Sequence, residues 1–209
     1  MTARYDEVHI GLVVEGRGEV EALPLLLRSR LYERRIFKEI LGRPVPCHGR
    51  ENALREKGLE GKVAVSAARP GCRAVFVVLD GEGDAICKLG PSLRMRSETT
   101  AGGKPVVVCL ADPKFEAWLV ASAESLGLPG LEFRRRRDPV TLIKEALAPV
   151  KYVKPTWQPR LSQRVDFELA RNRDGSFNRL ISRFDDVVDE IISSAWRSSG
   201  AEDLDVGET

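Results

Sequence analysis

Ala74-Val75-Phe76-Val77-Val78-Leu79 runs without a polar break into Asp80-Gly81-Glu82-Gly83-Asp84. A Val-rich run with no polar residue at alternate positions is the pattern of a strand buried on both faces, as in a parallel sheet. Two other segments repeat it. Ile10-Gly11-Leu12-Val13-Val14 ends at Glu15, and Val106-Val107-Val108-Cys109-Leu110-Ala111 ends at Asp112. In an open parallel sheet the ligand crevice lies beyond the carboxyl ends of the strands. Glu15, Asp80, Glu82, Asp84 and Asp112 are therefore expected at one crevice. Carboxylates gathered in this way repel one another unless a cation neutralises them. Hard oxygen donors suit Mg²⁺, Mn²⁺ or Ca²⁺.

Working outward, strand and helix patterns alternate as far as Gly127 and give way to helices alone. A first strand over Val8–Val14 turns at Gly16-Arg17-Gly18 into a helix over Glu19–Arg35, striped by Leu23, Leu26, Leu27 and Leu31. An extended piece over Arg43–His48 and a helix over Leu54–Arg69 precede the Asp80 strand. A short helix over Ala85–Leu89 is expected to stop at Pro91. Asp112-Pro113 reads as the cap and first position of a helix that runs to Gly127 and Pro129. Beyond it come a helix over Val140–Leu147, a Pro-rich connection over Lys151–Arg160, and helices over Leu161–Arg171 and Ser176–Trp196. The last carries Phe177, Leu180, Ile181, Phe184, Val187, Val188, Ile191 and Ile192 at helical spacing. The expected organisation is an α/β core over 1–127 with about four parallel strands, a helical extension over 128–196 and a frayed tail over 197–209.

Composition narrows the chemistry. The 33 Lys and Arg nearly balance 31 Asp and Glu, so net charge favours no class of partner, and only local clusters can. Arg28, Arg30, Arg34 and Arg35 form one cluster and Arg134-Arg135-Arg136-Arg137 another. Each reads either as a solvated face or as a phosphate-contact patch. His9 and His48 are the only histidines, and Cys47, Cys72, Cys87 and Cys109 form no CxxC pair, which argues against a zinc site or a His-based triad. Widely spaced thiols, an N-terminal stretch without an apolar signal region and no membrane-spanning run lead to the expectation of a cytoplasmic protein.

The acids carry unequal weight. Glu19 and Glu21 sit in a first helical turn, where the macrodipole favours acids in any case. Glu15 ends a buried strand and needs a partner or a ligand. Residues 80, 82 and 84 share one side if the chain stays extended, and two glycines let a ligand approach the backbone. An exposed acidic turn is the plainer alternative. Asp112 reads equally as a simple helix cap. Glu116, one turn later, tilts back toward the crevice.

Glu15-Gly16-x-x-Glu19 after the first strand, with an Asp-x-acid motif after a later one, resembles the Toprim domains of topoisomerases, primases and the overcoming-lysogenization-defect nucleases. The closer resemblance is to the Toprim-related domain-of-unknown-function family four-two-seven-six. Phe115-Glu116-Ala117-Trp118, Tyr152-Val153-Lys154 and Ser176-Phe177 match that family's motifs, and the likeness spans most of residues 8–190. One departure is Glu82, where Asp is usual. The resemblance implies a Toprim-like, Rossmann-like parallel sheet flanked by helices, and Mg²⁺- or Mn²⁺-dependent phosphodiester hydrolysis. It makes Glu15, Glu19, Asp80 and Glu82 metal ligands, with Asp84 and Glu116 supporting and Lys154 or Lys151 steadying the transition state. It also implies a nucleic-acid substrate and a separate ATPase partner in phage defence or genome maintenance, since this chain has no Gly-Lys-Ser/Thr phosphate loop.

Two other classes compete. A haloacid-dehalogenase-like phosphatase would use Asp80 as nucleophile and Glu82 as acid/base, leaving Glu15 and Glu19 unexplained. A Toprim-like module that binds nucleic acid or a protein without turnover would accommodate Glu82 in place of Asp.

Overall fold

The computed structural model describes residues 8–200, with side chains through Ser193. Four strands, β1 (His9–Val14), β2 (Val45–Pro46), β3 (Cys72–Asp80) and β4 (Val106–Ala111), form one all-parallel sheet in the order β2-β1-β3-β4. The unbroken apolar runs follow from covering both faces. Leu12, Val14, Phe76 and Val78 enter one buried cluster, and Val13, Val75, Val77 and Leu79 enter the other. Register pairs Val14 with Val78 and Asp80 with Ala111, so β1, β3 and β4 end nearly level. The protein is thus an α/β fold with a parallel sheet flanked by helices and followed by C-terminal helices.

Three helices cover the second face: α2 (Arg50–Leu54), α3 (Gly58–Ala67) and α4 (Ile86–Glu98). The first face takes α1 (Arg17–Glu33) and the later helices α5 (Phe115–Val120), α6 (Pro139–Leu147), α7 (Lys154–Ser162), α8 (Phe167–Arg173) and α9 (Gly175–Gly200). Leu23, Leu26, Leu27 and Leu31 of α1 are all buried, each contributing about 1.5–3 kcal/mol. The stripe on α9 is buried from Phe177 to Ile191, while Ile192 stays exposed. Phe184 meets Phe76 edge-on at 5.8 Å, which docks α9 onto β3. Of the tail expected over 197–209, residues 197–200 continue α9 and 201–209 lie outside the described residues. No helix among the described residues is long and apolar enough to cross a membrane.

Several local expectations are corrected. Pro91 does not stop α4, which continues to Glu98. Burial of Leu93 and the Arg96–Glu60 ion pair at 2.7 Å offset the hydrogen bond that proline removes. The connection expected over Lys151–Arg160 contains α7, because Pro155 falls in its first turn, where no intrahelical N–H is needed. The helix expected over Leu161–Arg171 breaks between α7 and α8, where the Asp166 carboxylate accepts from Leu169 N at 2.9 Å and caps a new start. The helix expected over Leu54–Arg69 starts only at Gly58 as α3, because Lys57, with φ 58°, breaks it from the short α2 that ends at Leu54. Asp112 is not the cap of α5. Gly81 N donates to Ala111 O at 2.7 Å and Glu82 N to Pro113 O at 2.8 Å, holding residues 111–113 beside the β3 loop, so the helix starts only at Phe115. It also ends at Val120, short of Gly127, and a 3₁₀ turn at Ala123–Ser125 follows.

Candidate functional site

Glu15 follows the last residue of β1 and Asp80 is the last residue of the adjacent β3. Asp80 N donates to Glu15 Oε2 at 3.1 Å, joining the two strand ends directly. Glu82 stands in the next turn with φ 49°, a left-handed conformation, between the flexible Gly81 and Gly83. One carboxylate oxygen from each of Glu15, Asp80 and Glu82 lies within 4.8 Å of the others. This is the one such grouping of acids, histidines or cysteines among the described residues.

The remaining candidates divide. Glu19 Oε2 accepts from Gly16 N at 2.9 Å and so holds the turn out of β1. Glu116 points inward, as its position in the first turn of α5 implies, and is fully buried. Its Oε1 accepts from Tyr152 Oη at 2.9 Å and Gln158 Nε2 at 3.1 Å. Lys154 Nζ sits 3.4 Å from Glu116 and 3.9 Å from Asp80, joining that network to the strand ends. Lys151 is exposed and forms no ion pair among the described residues. Asp84 is drawn away by Arg50, which also reaches Glu82 at 3.6 Å and donates to the Asp80 carbonyl. Glu19, Asp84 and Glu116 therefore surround the three-carboxylate group without joining it. Asp112 is exposed and lines a different cleft, with Arg134, Arg135 and Arg173.

Electrostatics mark the strand ends. Burial, reinforced by the Glu15 charge, raises the Asp80 carboxyl to about 7 in the metal-free protein. Burial also raises Glu15, and the Glu19 and Glu82 charges add to it. Lys154 is raised as well: burial opposes its charge, but Glu116, Asp80 and Glu19 outweigh burial and keep it an ammonium. Among the described residues, two cations, Arg50 and Lys154, make the ion pairs to these six acids, and neither Glu15 nor Glu19 has one. The surplus negative charge and the all-oxygen donor set fit a hard divalent cation at Glu15, Asp80 and Glu82.

Sequence reasoning missed Arg50 and Gln158. Nothing in the sequence distinguishes Arg50 from other arginines. Gln158 had a signal, because it lies four residues after Lys154 and shares its face once α7 is read as a helix. Gly18 is tied to the same contact, since a Cβ there would stand 1.9 Å from Gln158 Oε1. No family model, curated protein or solved structure matches the chain at a significant level.

Proposed function

We propose that this protein is a divalent-metal-dependent phosphodiesterase of the Toprim type, acting on DNA or RNA. The observation that carries the reading is the meeting of Glu15, Asp80 and Glu82 within 4.8 Å at the carboxyl ends of adjacent parallel strands. In this reading those three side chains hold Mg²⁺ or Mn²⁺. The chemistry such an ion supplies is a more acidic attacking water and neutralised charge at the leaving oxygen. Asp80 is fixed for this role because its Oδ1 accepts from Phe115 N at 2.8 Å. Lys154, half-exposed and charged, offers its ammonium to a non-bridging phosphoryl oxygen on the side facing Asp80. The buried Tyr152–Glu116–Gln158 network holds α7 and so the position of Lys154.

Two features favour hydrolysis over its rivals. The Tyr152 phenol donates to Glu116, and burial together with that charge raises its pKa, so it is a poor covalent nucleophile. Glu15, whose Oε2 accepts from Asp80 N at 3.1 Å, stands beside Asp80 and has no task in the phosphatase reading. A separate ATPase partner in defence or genome maintenance belongs to the same reading. The test is cleavage of plasmid DNA, single-stranded DNA and RNA with Mg²⁺, Mn²⁺ or chelator. Cleavage that needs the metal and Asp80 supports the proposal. Hydrolysis of phosphate monoesters alone, or nucleic-acid binding without turnover, replaces it with one of the other two readings.

A further inference from the structure

The loop between β4 and α5 has two sides. One is bonded to the carboxylate crevice through Pro113 O and Glu82 N at 2.8 Å and through Phe115 N and Asp80 at 2.8 Å. On the other side, Asp112 and Pro113 form the rim of a cleft of about 400 Å³. Arg134, Arg135, Arg137, Arg173 and Arg179 line this cleft, against Asp112 and Asp174 as its acids. Asp174 is occupied: its Oδ1 accepts from Ser176 N at 2.8 Å and Phe177 N at 2.9 Å, capping α9. Arg134, Arg137 and Arg173 are oriented by Glu132, Glu145 and Glu124. Arg135 and Arg179 form no salt bridge with a carboxylate among the described residues, although both face the cleft. Phe133 lies in the same wall, with the Arg173 guanidinium, held by Glu124, 5.2 Å from its ring centroid.

We propose that this cleft binds the phosphates of a single nucleic-acid strand and leads that strand to the carboxylate crevice across the 112–114 loop. The assignment rests on the nucleic-acid reading of the crevice proposed above. Arginine forks match phosphate oxygens in pairs, and a guanidinium over an aromatic ring is a surface on which a base stacks without regard to sequence. An unpaired strand can seat a phosphate on these arginines and at the same time turn a base toward Phe133, which a duplex with its bases paired cannot do. A strand laid there places its phosphates on the arginines and continues over the 112–114 loop toward Glu15, Asp80 and Glu82, which repel it unless a cation is bound. The basic run of the sequence thereby gains a role, with Arg134, Arg135 and Arg137 serving the cleft and Arg136 outside its lining.

The experiment is fluorescence anisotropy of a labelled single-stranded oligothymidylate with the full chain in chelator, where no turnover occurs, across a salt series. R135A/R179A is expected to bind roughly tenfold or more weakly at low salt, and its salt slope to fall by about 0.7 for each phosphate that an arginine no longer neutralises. Both arginines are exposed, so the melting temperature is expected to hold. R135A and R179A alone each give part of the slope change should the double variant misfold. R73A/R94A removes the same charge elsewhere and is expected to bind as wild type. Equal weakening by that control, or an unchanged slope in R135A/R179A, overturns the proposal. Equal competition by duplex, thymidine monophosphate or inorganic phosphate overturns the single-strand assignment. Metal-dependent cleavage assayed alongside separates the two readings. Cleavage indifferent to R135A/R179A refutes the cleft and spares the phosphodiesterase, whereas cleft-dependent binding without cleavage does the reverse.

Discussion

The two walls of the carboxylate crevice carry similar charge in opposite ways. On the α7 side, Glu116 is fully buried and its partners are specified: Tyr152, Gln158 and Lys154 all converge on one oxygen. On the loop side, Glu82 and Asp84 are exposed and share a single cation, Arg50. Between them stand Glu15 and Asp80, buried enough for their carboxyls to be raised and with too little positive charge nearby. The contrast teaches that an acid's value depends on what neutralises it. Each wall commits one cation to two acids, Lys154 to Glu116 and Asp80 and Arg50 to Glu82 and Asp84, and in the proposed function an added cation acts between the walls.

The largest expected effect is on chemistry. Asp80→Asn keeps an acceptor for Phe115 N but removes a charge from the donor set. Several kcal/mol of transition-state stabilisation depend on a bound metal, so metal-dependent cleavage should fall about a thousandfold or more at 1.36 kcal/mol per decade. The same variant should gain less melting temperature from Mn²⁺ than wild type does. Cleavage and thermal melts with Mn²⁺ and with chelator measure both. Undiminished activity would place the chemistry elsewhere. Asp80→Ala is a poorer probe, because it also leaves the α5 amide without its partner.

Next comes a direct contrast of the walls. Glu116→Ala strands Tyr152 Oη and leaves Gln158 Nε2 with only Glu19 at 3.4 Å and Lys154 Nζ with only Asp80 at 3.9 Å, and weakening a buried polar network in this way costs about 2–4 kcal/mol. Glu82→Ala, on the exposed wall, should stay within about 0.5 kcal/mol in chelator. Urea denaturation in chelator compares them, and equal losses would remove the distinction.

The pH dependence should be of similar or smaller size. With the folded Asp80 carboxyl at about 7 and an ordinary unfolded value near 4, the native state binds the extra proton between those limits. Stability in chelator should therefore fall as pH rises from about 4 to 7 and level off above. The loss is a few kcal/mol, at about 1.4 kcal/mol per pH unit. Asp80→Asn should flatten that slope. Mn²⁺ should reverse it, since metal binding favours the ionised carboxylates. Urea melts at a series of pH values provide the check.

The smallest effect belongs to Arg50. Arg50→Ala should change stability by about 1 kcal/mol. It also removes the cation competing for Glu82, so Mn²⁺ should bind several-fold more tightly by calorimetry. Weaker binding would mean that Arg50 instead holds the Glu82 loop in place.

How much is legible varies by element. The Val/Ile/Leu runs and their terminal acids announce the parallel sheet, and the register needed to bury both faces brings Glu15 and Asp80 together. The inward aim of Glu116 follows from its place in the first turn of α5. Helix boundaries mislead wherever proline is treated as a stop. Pro155 in a first turn and Pro91 on an exposed face are both compatible with helix once packing offsets the missing bond. Asp112 reads as a helix cap because a sequence cannot show that backbone pairing to the β3 loop extends past the end of β4.

By itself, the sequence determined the alternation of strands and helices, the double burial of the sheet and the placing of acids at strand ends. These depend on side-chain polarity at short, regular spacing, which local periodicity records. Tertiary structure alone decided which acids come within 4.8 Å of one another, that Asp84 belongs to Arg50 and Glu116 to Tyr152 and Gln158, and that the run of four consecutive arginines borders a cleft. Those pairings join residues dozens of positions apart, and distance in space, which sets every electrostatic energy, is not written in sequence separation.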